Sequence, residues 1–160
     1  MNRCDKSKTD SHDSFRAHLL TLPLESLQLE TPQVVGGGAS IRQVLNLMRA
    51  KNLPAVLICE FTEGPIQGIF TEREALRVYK LGWNLDERSI REIMRPNPFC
   101  YGPWDSIGFA LKKLIDDTAH LPIIDLDGRP VGLLDRRQLL RFLSQRTLSQ
   151  SNLPQNEQAV

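Results

Sequence analysis

The sequence predicts an α/β (α+β) fold of two β-α-β-β-α units packed sheet to sheet about a pseudo-twofold axis. Three observations carry this. Features recur in the same order along the chain, with an offset of 66 from Ser40-Ile41 to Ser106-Ile107, 68 from Leu53-Pro54 to Leu121-Pro122, and 64 from Gly68 to Gly132. Within each copy, short apolar runs alternate with helical periodicity. Finally, a half of about 60 residues makes a marginal core alone, and near-continuous apolar strands call for cover on both faces.

Each element has a local cause. Val34-Val35 and Phe99-Cys100-Tyr101 are extended pieces close behind a proline, which disfavours helix in the residue before it. Ile41, Val44, Leu45 and Met48 recur at helical spacing, as do Ile107, Ala110, Leu111 and Leu114. Ser40 with Gln43 forms a capping-box pair at the first of these helices, and Ser89 with Glu92 predicts a short helix opening the second copy. Ala55–Cys59 with Ile66–Phe70, and Ile123-Ile124 with Val131–Leu134, are the paired strands. Asp127-Gly128 marks a tight turn between the second pair. Ala75, Leu76, Val78 and Tyr79, matched by Leu139, Leu140, Phe142 and Leu143, give the closing helices. Residues 1–17 are polar apart from Phe15 and predict a mobile tail, as do residues 147–160. The copies then occupy 18–82 and 83–146.

Bulk properties narrow the function. A net charge of +1 across 160 residues gives no electrostatic footprint for nucleic acid. No run reaches the ~18–20 apolar residues of a membrane span, and the first residues lack a signal peptide's apolar core. Three scattered cysteines, Cys4, Cys59 and Cys100, fit reduced thiols and a cytoplasmic location. No metal-ligand cluster, nucleophile–base pairing or complete phosphate loop is present, so neither an enzyme nor a metal protein is expected. Gly36-Gly37-Gly38 lacks the surrounding pattern of a phosphate loop and reads as a plain loop.

The two strand–helix junctions are the candidate sites. Gly68-Ile69-Phe70-Thr71-Glu72-Arg73-Glu74 is echoed by Gly132-Leu133-Leu134-Asp135-Arg136-Arg137-Gln138. By spacing alone, Thr71 with Glu74 is an S/T-x-x-E capping box, and Asp135 with Gln138 is an equally good cap pair. A helix N-terminus also favours anions through its free N–H groups and dipole. Thr71 puts a neutral hydroxyl there. Asp135 puts a carboxylate, which at ~4 Å would repel a phosphate by roughly 1–4 kcal/mol.

This duplicated order resembles the tandem cystathionine-β-synthase (CBS) domain pair, or Bateman module, over about residues 22–146. The second copy carries the clearer likeness, from Ile90-Arg91-Glu92-Ile93-Met94 through Leu121-Pro122-Ile123-Ile124-Asp125 to Gly132-Leu133-Leu134. The resemblance implies a non-catalytic regulatory module that binds AMP, ADP, ATP or S-adenosylmethionine between the halves, without a cofactor. Its signature is glycine, two apolar residues, Thr or Ser, two variable residues, then Asp. Thr71 matches the hydroxyl that contacts phosphate. Glu74 stands where the ribose-binding Asp belongs, with Arg73 before it. Asp135 and Gln138 depart at both positions, so one site is expected rather than two. The resemblance also brings Pro98, Phe99, Cys100, Ala119 and His120 of the second copy to the Thr71 site. Lys51 and Asn52 of the first copy are expected there as phosphate contacts. A homodimer and a regulated protein partner are implied as well. The alternative is a degenerate pair that serves only as a ligand-independent dimerisation or docking scaffold.

Overall fold

The computed structural model describes residues 6–151. In chain order it contains α1 (Lys6–Thr21), a 3-10 turn (Leu24–Ser26), β1 (Val34–Gly36), α2 (Ile41–Lys51), β2 (Ala55–Cys59), β3 (Ile66–Thr71) and α3 (Glu72–Leu81). A second 3-10 turn (Ile90–Glu92) follows, then β4 (Arg95–Pro96), α4 (Ile107–Asp116), β5 (His120–Ile124), β6 (Pro130–Asp135) and α5 (Arg136–Ser151).

The first sheet has the order β1-β2-β3-β4, with β1 parallel to β2 and the other pairs antiparallel. The second pairs β5 with β6, and single bridges extend it on both sides. Tyr101 lies parallel to Ile123, and Glu30 lies antiparallel to Leu133. The expected first strand of copy two is therefore reduced to one bridged residue. Ala55, Leu57 and Ile69 of the first sheet pack with Leu133 of the second, which joins the halves sheet to sheet.

The outer strands are exchanged. β4 lies near the start of the second repeat yet pairs with β3 of the first, while Glu30 lies near the start of the first repeat and bridges β6 of the second. The 3-10 turns cross in the same way. Ile90 and Ile93 sit in one core with Ile41, Val56, Phe70 and Val78, and Leu24 and Leu27 sit in the other with Ile107, Leu121 and Leu134. Gly68 and Gly132 make room for this crossing. A Cβ at Gly132 would stand 3.0 Å from Leu29, and one at Gly68 would run into Met94.

The tails need correction. Residues 6–17 form most of α1, and residues 147–151 end α5, so both expected mobile segments are helical over these stretches. The apolar residues of α1 collect at its end, where Leu19 is buried and Leu20 packs on the second core. There the Leu22 carbonyl accepts from Ile107 N–H at 2.8 Å. The linker does the same for α2, whose Arg42 N–H donates to the Leu85 carbonyl at 3.0 Å. Average composition hid this local anchor. Residues 1–5 and 152–160, Cys4 among them, lie outside the described residues. Among the described residues, no helix is long and apolar enough to cross a membrane.

Candidate functional site

Both junctions are built as caps. At the first, the Thr71 hydroxyl donates to Glu74 Oε2, which also accepts from Thr71 N–H at 3.0 Å. Thr71 Oγ1 in turn accepts from Arg73 N–H at 3.2 Å. Thr71 and Glu74 are both buried. Glutamate is long enough to fold back onto its own N-cap, the geometry a capping box requires. At the second junction, Asp135 Oδ1 accepts from Gln138 N–H at 2.7 Å, and Gln138 Oε1 accepts from Asp135 N–H at 2.9 Å. Arg137 stands 3.5 Å from the remaining Asp135 oxygen. Arg136 donates to the Leu114 carbonyl at 2.6 Å and so closes the end of α4.

Three cavities surround His120, two of them lined by residues of both repeats. The first, of about 250 Å³, brings Gln33, Lys51 and Asn52 of the first repeat to Asp135, Arg137 and Arg141 of the second. Asn52 adopts φ 51° as the left-handed C-cap of α2, and Lys51 donates to Gln33 Oε1 at 2.7 Å. The second cavity, also about 250 Å³, is lined by Arg95, Pro98, Phe99, Lys113, Thr118 and His120. Phe99 is 54% exposed and stands edge-on to Tyr101, with the Lys113 ammonium 4.4 Å from its ring centre. Arg95 Nε is buried there and, among the described residues, has no acceptor. The third, of about 270 Å³, lies between the junctions and is lined by Glu72, Ala119, His120 and Asp135.

The expected residues are thus divided. Lys51 and Asn52 face Asp135 rather than Thr71, because the crossing places the end of α2 opposite the second junction. Pro98, Phe99 and His120 share one cavity, while Ala119 lies beside His120 in the third. Thr71 and Glu74 line none of the three, Arg73 is exposed on α3, and Cys100 turns its sulfur to the Pro98 carbonyl at 3.2 Å. Burial pushes the thiols of Cys59 and Cys100 up, which keeps them protonated and unreactive. His120 borders all three cavities. Its burial, aided by Arg95 and Arg137, lowers its pKa against the pull of Asp135 and Glu72, so the imidazole is neutral at pH 7. Arg95 was not anticipated as a site residue; in the sequence it is one charged residue before a proline. Among the described residues, no group of three or more His, Cys, Asp or Glu is placed to hold a metal.

A duplicated α+β unit with exchanged outer strands and polar cavities between its copies defines a tandem-repeat module with a central cleft. A family model described as the CBS domain matches the chain twice, over residues 26–81 and 90–145. The chain belongs to the CBS domain family. No curated protein matches it in sequence. Among solved structures it is similar to CBSX2 from Arabidopsis thaliana in complex with AMP. The two are 20% identical over 78% of this chain and 98% of that one, with a TM-score of 0.66. It is also similar to a CBS domain protein from Pyrobaculum aerophilum complexed with AMP, at 19% identity over 78% and 99%, TM-score 0.67. The CBS domain of a membrane protein from Sphaerobacter thermophilus matches at 18% identity over 86% and 97%, TM-score 0.72.

Proposed function

We propose that the chain is a non-catalytic regulatory module that binds one adenine nucleotide, of the AMP, ADP or ATP type, in the cleft between its CBS repeats. The observation that carries this is the convergence of Lys51, Arg137 and Arg141, drawn from both repeats, on one cavity with two carboxylates, Glu30 and Asp135. A phosphate there makes charge-assisted contacts to the three cations. The edge of Thr31–Gln33 and the apolar side chains of Ala55 and Leu133 serve the nucleoside. The Asp135 carboxylate is already engaged by Gln138 N–H and Arg137, which reduces its repulsion of a phosphate. Excess positive charge also disfavours the sulfonium of S-adenosylmethionine. The AMP complexes of the two similar structures support the ligand class. A ligand that touches both repeats shifts their relative packing, and a protein partner reads that shift.

The Phe99 cavity is the other position for the same ligand, with Phe99 as a surface for the base and Arg95 Nε as a spare donor. Titration calorimetry with AMP, ADP, ATP and S-adenosylmethionine tests the reading. Binding that Lys51→Ala weakens about tenfold while Thr71→Val and Phe99→Ala leave it intact assigns the Lys51 cavity. Binding that Phe99→Ala weakens while Lys51→Ala leaves it intact assigns the Phe99 cavity. Silence of all four ligands at millimolar concentration rejects the sensor.

One observation favours a second reading. Both junctions spend their polar groups on each other, as a ligand-independent dimerisation or docking scaffold would allow. Leu76 and Tyr79 on α3 and Leu140 on α5 are exposed apolar side chains that a homodimer would cover. Light scattering with and without nucleotide separates this scaffold from the sensor.

A further inference from the structure

A larger cavity lies beside the Lys51 cavity, along α5. It is a groove of about 660 Å³ between residues 26–30 and α5. The pseudo-symmetry explains why it is open. Leu27 is three residues before the bridged Glu30, whereas Ile93 is two before the paired Arg95, so Gln28 is an extra residue at this turn. On the helix side, Val78 is fully buried, but its counterpart Phe142 is half-buried. The first repeat closes the space that the second leaves open.

Its lining carries two cations against one carboxylate, Glu30. Arg141 and Arg146 line it, and among the described residues neither is ion-paired. The Arg146 guanidinium lies over the Phe142 ring, 5.2 Å from its centre. Gln28, Gln138 and Gln145 add amide groups, while Leu27 and Leu134 belong to the core beneath. The groove is also continuous with the Lys51 cavity, for Glu30, Gln138 and Arg141 line both.

We propose that this groove is a subsite for a linear oligophosphate chain, entered from the Lys51 cavity at Arg141 and ending at Arg146. For a nucleotide, the inference rests on the adenine-nucleotide reading above: the base and first phosphate occupy the cleft, and the further phosphates run along α5. Free oligophosphate presents the same chemistry without the base.

Calorimetry of the full chain with AMP, ATP and inorganic tripolyphosphate, on the wild type and on Arg146→Ala, tests it. Arg146 is exposed and outside both cores, so its removal leaves the fold and AMP binding intact. The expected result is ATP binding about tenfold tighter than AMP, with Arg146→Ala removing that advantage. Equal affinities for AMP and ATP overturn the subsite and leave the nucleotide reading standing. An ATP advantage that survives Arg146→Ala overturns it too. Tripolyphosphate binding that depends on Arg146 and equals that of ATP, with AMP silent, upholds the groove and rejects the adenine reading, because the base then adds nothing. Silence of all three ligands rejects both.

Discussion

Glu74 shows how one methylene changes what a position does. The family signature carries Asp there, and Glu74 instead reaches back to accept from both Thr71 N–H and Thr71 Oγ1. Gln138 makes the matching backbone contact in the second repeat without a charge. Capping therefore needs the length of the side chain more than its charge. Glu74→Gln should keep the N-cap bond and cost well under about 1 kcal/mol, whereas Glu74→Ala leaves a buried N–H and hydroxyl unpaired and should cost about 1–3 kcal/mol. Urea unfolding midpoints check this. Equal losses for the two variants would show that the charge, not the cap, is what position 74 contributes. Capping at Thr71, Glu74, Asp135 and Gln138 was legible in the sequence because it depends on residues three apart. The placing of Lys51 was not, since it depends on which repeat crosses to which junction.

Among the elements, the core helices and strands followed from periodicity, because the spacing of Ile41, Val44 and Met48 is itself the buried face. α1 did not. Its buried Leu19 and its neighbour Leu20 lie in the last turn, beyond Phe15, so an average over residues 1–17 omits the anchor. Gly108 belongs to that anchor, since a Cβ there would stand 3.1 Å from the Leu20 carbonyl oxygen. The close backbone approach lets α1 pack against the start of α4. Leu19→Ala should therefore destabilise the protein by about 2–3 kcal/mol, in the lower part of the range for a buried leucine because α1 lies at the edge of the core. Amide exchange within α1 should rise more than in α2, which sits against the other core. An unchanged melting temperature would mean that α1 is held by something other than its last turn.

At the scale of the whole molecule, the unit of sequence and the unit of folding differ. The family match covers 26–81 and 90–145, but every residue packed in the first core falls between Val35 and Met94. Its sheet is complete only when β4, Arg95–Pro96, is included. The second core instead needs Leu20 to Leu29 together with Tyr101 to Leu143. Periodicity carries no information about this exchange, because Ile90 and Ile93 look the same whichever core receives them. A fragment of residues 33–97 therefore contains a whole core and a four-stranded sheet, while residues 26–81 lose Ile90, Ile93, Met94 and β4 and keep Leu24's neighbour Leu27 without its partners. Both fragments are near the size where a single core is marginal, and both expose the face of Ala55, Leu57 and Ile69. The comparison between them is still decisive, since removing Ile90 and Ile93 alone takes away two buried side chains, each costing about 2–5 kcal/mol when cut to alanine. Circular dichroism should show a cooperative thermal transition for 33–97 and none for 26–81. A folded 26–81 beside an unfolded 33–97 would mean that each repeat folds on its own residues and that the crossing forms only afterwards.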